Sequence, residues 1–225
     1  NTIVERDGHT IHTFTSDGTF TQLTSPETLG VDDISGNNRP QAVVDPNSLG
    51  NLTTVDGIRC WDCSSGGKEL RHYEANRLLL GDSYTLIAVT RALTDNDVNT
   101  WRTLWRCSPD DHPLIIQDGT DIIGHYENGG ASFVSYGVTL ASTGAGGNWA
   151  VWSIVAENGG SSLYINGSLI NSIPYNSRGN SLYQIGNHFS QPFGYVASAY
   201  VYKNRALTAD EIAENAATLR RRYGF

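Results

Sequence analysis

Residues 149–156 read WAVWSIVA, and this stretch decides the fold class. Successive side chains of a β-strand point to opposite faces, and here both alternating sets are apolar. A strand with one wet face would carry polar residues at every second position, so we expect Trp149–Ala156 to be a central strand covered on both faces. Shortly downstream, Asn166-Gly167 separates two further apolar runs, and Asn-Gly is the pair that two-residue hairpin turns favour.

Short strand-like runs extend outward from this stretch in both directions. Each run is rich in β-branched or aromatic residues and is bounded by Gly, Asn or Asp. The predicted strands are Tyr84–Arg91, Trp101–Cys107, Leu114–Gln117, Ile122–Tyr126, Ser132–Tyr136, Ser162–Ile165, Ser168–Ile170, Ser181–Gly186 and Gly194–Tyr202. Their order, without helices between them, predicts an all-β protein built as an antiparallel two-sheet sandwich.

The pattern becomes helical after Thr208. Thr208 is the predicted N-cap, Glu211 completes a capping box, and Arg220–Arg222 favour the negative end of the helix. Four apolar residues fall on one face at helical spacing: Ile212, Ala216, Leu219 and Tyr223. The sequence therefore predicts a short C-terminal α-helix that packs onto the sandwich.

The N-terminal residues form a separate unit in this interpretation. Thr10–Thr15 and Thr19–Leu23 flank Asp17-Gly18, which predicts a β-hairpin. Residues 26–52 are rich in Pro, Gly, Asn and Asp, and we expect irregular loops there. The chain is accordingly divided into a hairpin or arm at 1–25 and a sandwich at 26–225.

Charge and hydropathy exclude two classes of partner. Lys and Arg total 15 against 23 Asp and Glu, which gives a formal charge of −8. The basic residues are scattered except for Arg220–Arg222, whereas nucleic acid binding needs a clustered basic footprint. No stretch approaches the roughly 20 apolar residues of a membrane span. We expect neither nucleic acid nor membrane as a partner.

Four segments share their wording with a known family. They are Tyr84–Arg91, Trp149–Ser168 with its Tyr-Ile-Asn-Gly ending, Tyr183–Asn187, and Gly194–Ile212, whose Arg-Ala-Leu-Thr-Ala-Asp-Glu-Ile wording is the most specific. They resemble the laminin-G-like, or concanavalin-A-like, jelly-roll superfamily. The resemblance covers about residues 50–225. It implies a jelly-roll sandwich with a binding surface.

A second resemblance lies near the N-terminus. His12–Thr21, HTFTSDGTFT, is similar to a motif in glycine-rich domains of phage tail and other virion proteins. Together the two resemblances imply a non-enzymatic virion structural or binding protein, a head decoration or tail component at the virion surface. Its partners would be shell subunits or host-surface polysaccharide, and a homo-oligomer is expected for such proteins.

The candidate chemistry favours binding over catalysis. Glycoside hydrolases on this fold place two carboxylates at period-two spacing on one strand, and no predicted strand carries such a pair. His125 and Tyr126 are adjacent, as are His72 and Tyr73, so each pair would point to opposite faces and could not serve a lyase together. We predict no catalytic residues. A polysaccharide lyase or glycoside hydrolase and a secreted bacterial adhesion module remain the alternatives.

Calcium is the one cofactor with a candidate site. Asp95, Asp97 and Asn99 offer oxygen ligands at alternating positions of one loop, a set that calcium accepts. The resemblance also implies calcium at a sandwich rim, because many relatives bind it there. The alternative is an ordinary polar turn. No cofactor is required by the rest of the sequence.

Trp61 and Asp62 form the candidate ligand site. Trp61 lies in a segment flanked by Gly and Ser, where an exposed ring could stack on a sugar, whereas the spacing of Trp149 and Trp152 predicts core positions.

The cysteines suggest no metal site. Cys60 and Cys63 form a C-x-x-C motif without the two further ligands that zinc needs. Because Cys107 makes the count odd, two alternatives stay open, namely three buried thiols or a bridge from Cys107 to one of the pair.

Overall fold

The computed structural model describes residues 51–68, 70–71, 78–108, 111–127, 132–175 and 181–225, together with the backbone of four short strands before residue 50. The early strands are β1 (Thr2–Arg6), β2 (His9–Thr13), β3 (Gly30–Val31), β4 (Gln41–Ala42), β5 (Asn51–Val55), β6 (Ile58–Cys63), β7 (Leu70–Arg71) and β8 (Leu78–Leu79). The later strands are β9 (Tyr84–Ala92), β10 (Arg102–Ser108), β11 (Asp111–Ile116), β12 (Ile122–Glu127), β13 (Ser132–Thr139), β14 (Trp149–Glu157), β15 (Gly160–Ile165), β16 (Ser168–Ile173), β17 (Ser181–Ile185) and β18 (Gly194–Lys203). The helices are α1 (Leu140–Thr143) and α2 (Ala209–Tyr223).

Two antiparallel sheets lie face to face, as the sequence predicts. Sheet A has the strand order β16-β15-β14-β9-β18-β6-β5. Sheet B has the order β13-β12-β11-β10-β17-β7, and β8 also pairs with β17. Neighbours in both orders are distant in sequence at several points, so each sheet depends on long-range pairing.

The main core fills the space between the sheets. Leu86 and Trp152 of sheet A meet Trp105 and Leu114 of sheet B there, all fully buried. The ring of Trp152 meets Phe193 edge-on at a centroid distance of 5.7 Å.

Strand β14 is covered on both faces, which confirms the prediction for Trp149–Ala156. One set of its side chains faces the main core, and the other set, including Val151 and Val155, lies in a second apolar cluster. Ile212, Ala216 and Leu219 of α2 complete that second cluster. Helix α2 therefore closes the outer face of sheet A.

The predicted local signals at the hairpin and the helix are also confirmed. Asn166 and Gly167 adopt φ angles of 52° and 87°, the two positive values that this type of hairpin turn requires. The Thr208 hydroxyl accepts from the Glu211 amide at 3.3 Å, and the Glu211 carboxylate accepts from the Thr208 amide at 2.9 Å. Gly224, at φ 79°, ends the helix in the left-handed conformation.

The N-terminal half differs from the prediction in places. Residues 26–52 are not irregular throughout, because β3 pairs with β4 and β5 begins at Asn51. Strand β2 pairs with β1, while the predicted turn at Asp17-Gly18 and the strand Thr19–Leu23 lie outside the described residues. In the parts of the chain that the structure describes, no helix combines the length and apolar character needed to cross a membrane.

Candidate functional site

The outer face of sheet B carries a concentration of polar and aromatic side chains. The alternation of side chains along each strand shows which residues lie on this face. Cys107 lies in the main core, so the preceding Arg106 points outward. Gln184 is the cross-strand partner of Arg106 and shares that face. Likewise Val134 packs on the core, so Phe133 next to it points outward. Phe133, Tyr126 and His112 are directly opposed across β13, β12 and β11, which places all three on the outer face.

Phe189, in the loop between β17 and β18, projects from this face. Its side chain is 64% exposed, and its φ is 52°, a strained value for a bulky residue. An isolated exposed apolar residue is common, but one held in a strained backbone conformation calls for a reason other than stability.

Backbone hydrogen bonds fix the Phe189 loop on several sides. The Phe189 carbonyl accepts from the Gly67 amide, and the His188 carbonyl accepts from the Gln191 amide at 2.9 Å. The Gln191 carbonyl accepts from the Thr103 amide of β10 at 3.1 Å. The exposed ring is therefore presented in one defined position, as preformed binding sites require.

Three further rings continue from Phe189 across the sheet, and we call Phe189, His188, His112 and Tyr126 the aromatic row. Successive centroids are 4.5 Å, 5.0 Å and 5.5 Å apart. The guanidinium of Arg106 lies against the Phe189 ring, 5.8 Å from its centroid. The row thus combines apolar ring faces with a cation at one end.

Hydrogen bonds orient the polar atoms beside the row. The Thr103 hydroxyl donates its single proton to the Gln191 side-chain oxygen at 2.7 Å, so it must accept from His112 Nδ1 at 3.0 Å. His112 consequently carries a proton on Nδ1. Arg106 Nη1 donates to Gln184 Oε1 at 2.8 Å, which fixes the plane of the guanidinium.

This arrangement suits a ligand with apolar faces and hydroxyl edges. A sugar ring offers C–H faces that stack on aromatic rings, and Phe189 presents such a ring to solvent. Arg106, His112 and Gln184 are buried beside it.

Trp61 and Asp62 lie elsewhere in the fold. Trp61 belongs to strand β6, half-buried against the main core, so its predicted position in a loop is wrong. Asp62 accepts from the Ser64 amide at 2.9 Å and caps the turn after β6. That turn does touch the candidate site, because the Ser65 carbonyl accepts from Asn187 Nδ2 at 2.9 Å. Ligand binding by Trp61 and Asp62 themselves stays a prediction.

The carboxylates of the predicted calcium loop have partners within the chain. Asp95 and Asp121 each bind the fully buried guanidinium of Arg102 at 2.8 Å. Asp97 accepts from the amide and the hydroxyl of Thr94 at 2.8 Å and 2.9 Å, and Asn99 is exposed. Among the described residues, no three His, Cys, Asp or Glu side chains converge as metal ligands would. Calcium at Asp95, Asp97 and Asn99 stays a prediction.

All three cysteines are buried and unbridged. Cys60 lies in the cluster under α2, whereas Cys63 and Cys107 lie in the main core. Because residues three apart on a strand point to opposite faces, Cys60 and Cys63 cannot hold one metal ion together.

The strand order and the two-layer core define an antiparallel two-sheet jelly-roll β-sandwich. No family model and no curated protein matches the chain. Solved structures with the same fold include the binding domain of Paraclostridial Mosquitocidal Protein 1, at 19% identity and TM-score 0.51 over 84% of this chain and 51% of that one. Trypanosoma rangeli sialidase in complex with sialic acid is similar at 15% identity and TM-score 0.52, over 77% of this chain and 29% of that one.

The binding domain of Botulinum Neurotoxin DC in complex with SialylT is also similar. It shows 14% identity and TM-score 0.50, over 76% of this chain and 45% of that one. The chain therefore spans about half or less of the length of each of these three structures. At such identities the likeness concerns the fold.

Proposed function

We propose that this protein binds glycans through the outer face of sheet B, centred on Phe189. The observation that carries the proposal is the exposed Phe189 ring, held at a strained φ of 52° by a pinned loop and flanked by Arg106. An exposed aromatic ring in a fixed loop is the group on which a sugar stacks, and the packing of the core does not explain it.

The fold comparisons support the choice of first ligands. The botulinum neurotoxin binding domain was solved with SialylT and the trypanosomal sialidase with sialic acid, so sialylated glycans are the first class to test.

A glycan array with matched variants tests the proposal. Wild-type protein is expected to bind a defined group of glycans, and Phe189→Ala should weaken that binding about tenfold or more, the effect of losing one central contact. Leu169→Ala is the control, since Leu169 is 57% exposed but lies on sheet A. A blank array, or equal binding by Phe189→Ala, would refute the site. Release of reducing ends or unsaturated sugars from the bound glycans would instead favour the hydrolase or lyase alternative.

We further propose that glycan binding serves a virion surface protein, a head decoration or tail component, with a secreted adhesion module as the alternative. The support is the similarity of His12–Thr21 to a virion glycine-rich motif. Mass spectrometry of purified virions tests this setting, and light scattering of the purified protein tests the expected homo-oligomer. If the chain is absent from virions whose structural genes neighbour its own gene, the virion setting is contradicted. The glycan site is then judged by the array alone.

A further inference from the structure

A second aromatic ring lies on the outer face of sheet B, away from Phe189. Phe133 of β13 places its ring over Gly124 of β12. A Cβ atom at Gly124 would lie 2.2 Å and 2.4 Å from two atoms of that ring, and 2.7 Å from the Val134 carbonyl oxygen. Gly124 does not have a positive φ, so the backbone conformation does not demand a glycine there. The missing side chain instead makes room for the Phe133 ring against the sheet.

Trp101 fixes the Phe133 ring from the side. The two rings meet edge-on at 74°, with centroids 5.4 Å apart, and both side chains are partly exposed. Because Phe133 is only partly buried, part of its ring stays open to solvent beside Trp101. Phe133 is thus presented in one position, as Phe189 is.

The two rings lie over different strands of sheet B. Phe133 lies over β12, and Phe189 lies against Arg106 of β10, with β11 between them. Because neighbouring strands are about 4.8 Å apart, the two positions are separated by on the order of 10 Å, the reach of roughly two or three sugar units. In the interval His112 is buried and Tyr126 is partly exposed, so Tyr126 is the ring of the aromatic row that a ligand there would meet.

We infer that Phe133, seated over Gly124, is a second stacking position, and that the ligand is a glycan chain of several units lying across β12, β11 and β10. This inference rests on the proposed function and specifies its ligand class. A single terminal sugar could contact Phe189 but could not reach Phe133. Affinity should therefore rise with chain length until both rings are covered, and then level off.

The test measures dissociation constants for oligosaccharide ladders by calorimetry. The probes are oligomers of one to six units of β1,4-linked glucose, β1,4-linked N-acetylglucosamine and α2,8-linked sialic acid. With the ladder that binds, the wild type should gain about tenfold in affinity between the monosaccharide and the tetrasaccharide, the size of one added contact. Phe133→Ala should abolish this gain with chain length, whereas Phe189→Ala should weaken every member of the ladder.

Gly124→Ala gives an independent arm because it leaves both aromatic side chains in the chain. Its methyl group would displace the Phe133 ring, so it should reproduce the loss of the chain-length gain. Leu169→Ala should match the wild type throughout. If Gly124→Ala fails to fold, Phe133→Ala still decides the question.

The two proposals fail in different ways. Equal affinity for monosaccharide and hexasaccharide, or an undiminished gain in Phe133→Ala, overturns the chain ligand while Phe189-dependent binding still stands. The chain ligand is also overturned if none of the three oligosaccharide series binds while the array shows binding only to branched terminal sugars. A blank array refutes glycan binding as a whole.

Discussion

Lowering the pH from 7 to 5 is expected to reduce the free energy of unfolding by about 2 kcal/mol through His125 alone. His125 is opposite Val134 on the inner face of sheet B and is 0% exposed. Burial lowers the pKa of His125 from 6.5 to about 4, and the charge of Asp111 and the carbonyl of Pro113 only partly oppose this shift.

The sign of the effect follows from which state binds the proton. Between pH 6.5 and 4 the unfolded chain is protonated at His125 while the folded protein is not, so protons favour unfolding. Above pH 6.5 His125 therefore does not lower the free energy of unfolding. The loss of unfolding free energy grows as the pH falls from 6.5 to 4, and it levels off below pH 4. With about 1.4 kcal/mol for each pKa unit, the full cost is about 3 kcal/mol.

Chemical denaturation at a series of pH values measures this cost. His125→Gln removes the titrating group and should flatten the pH dependence between pH 7 and 5 by about 2 kcal/mol relative to the wild type. Glu214→Gln, an exposed position on α2, is the control and should keep the wild-type slope. Parallel curves for His125→Gln and the wild type would refute the reasoning, because the buried imidazole would then not carry the linkage.

Three stability predictions concern single contacts and share denaturant unfolding as their assay. Gly167→Ala should cost about 1–2 kcal/mol, because the residue has φ 87° and a Cβ there would lie 3.1 Å from Ala216; no loss would mean that the hairpin turn can relax away from α2. Arg102→Ala should cost about 3–5 kcal/mol, since it leaves Asp95 and Asp121 without their shared cation; a loss below 1 kcal/mol would mean that water replaces the guanidinium. Thr208→Ala should cost about 1 kcal/mol through the lost cap, and wild-type stability would contradict the role of the capping box.

Much of the fold could be predicted from the sequence because its strongest signals are local. The alternation in Trp149–Ala156, the Asn166-Gly167 turn and the cap at Thr208 each depend on residues close in sequence. Strand β6 illustrates the limit. Trp61 has Gly and Ser nearby and reads as a loop residue, but it pairs with Val196 of β18, and that partner is distant in sequence.

The candidate site was missed for the same kind of reason. Phe189 stands in a turn whose conformation depends on Gly67 and Thr103, two partners that no local pattern connects to it. Gly124 reads as a weak point in a predicted strand, and only the register between β12 and β13 shows that Phe133 fills the space. One usable signal was present, since His188-Phe189-Ser190 places an aromatic residue between two predicted strands.

The two sheets differ in a way that favours sheet B as the binding surface. The outer face of sheet A is apolar and is covered by α2, so its composition is explained by packing. The outer face of sheet B carries Arg106, His112 and Gln184, all buried or nearly so and held by oriented hydrogen bonds. Desolvating such groups costs free energy that their hydrogen bonds only partly return, and apolar residues of similar volume would often be as stable or more so. Stability alone therefore does not account for this set of side chains, and Arg106 among them lies against the exposed Phe189 ring, the group that the proposed ligand would contact.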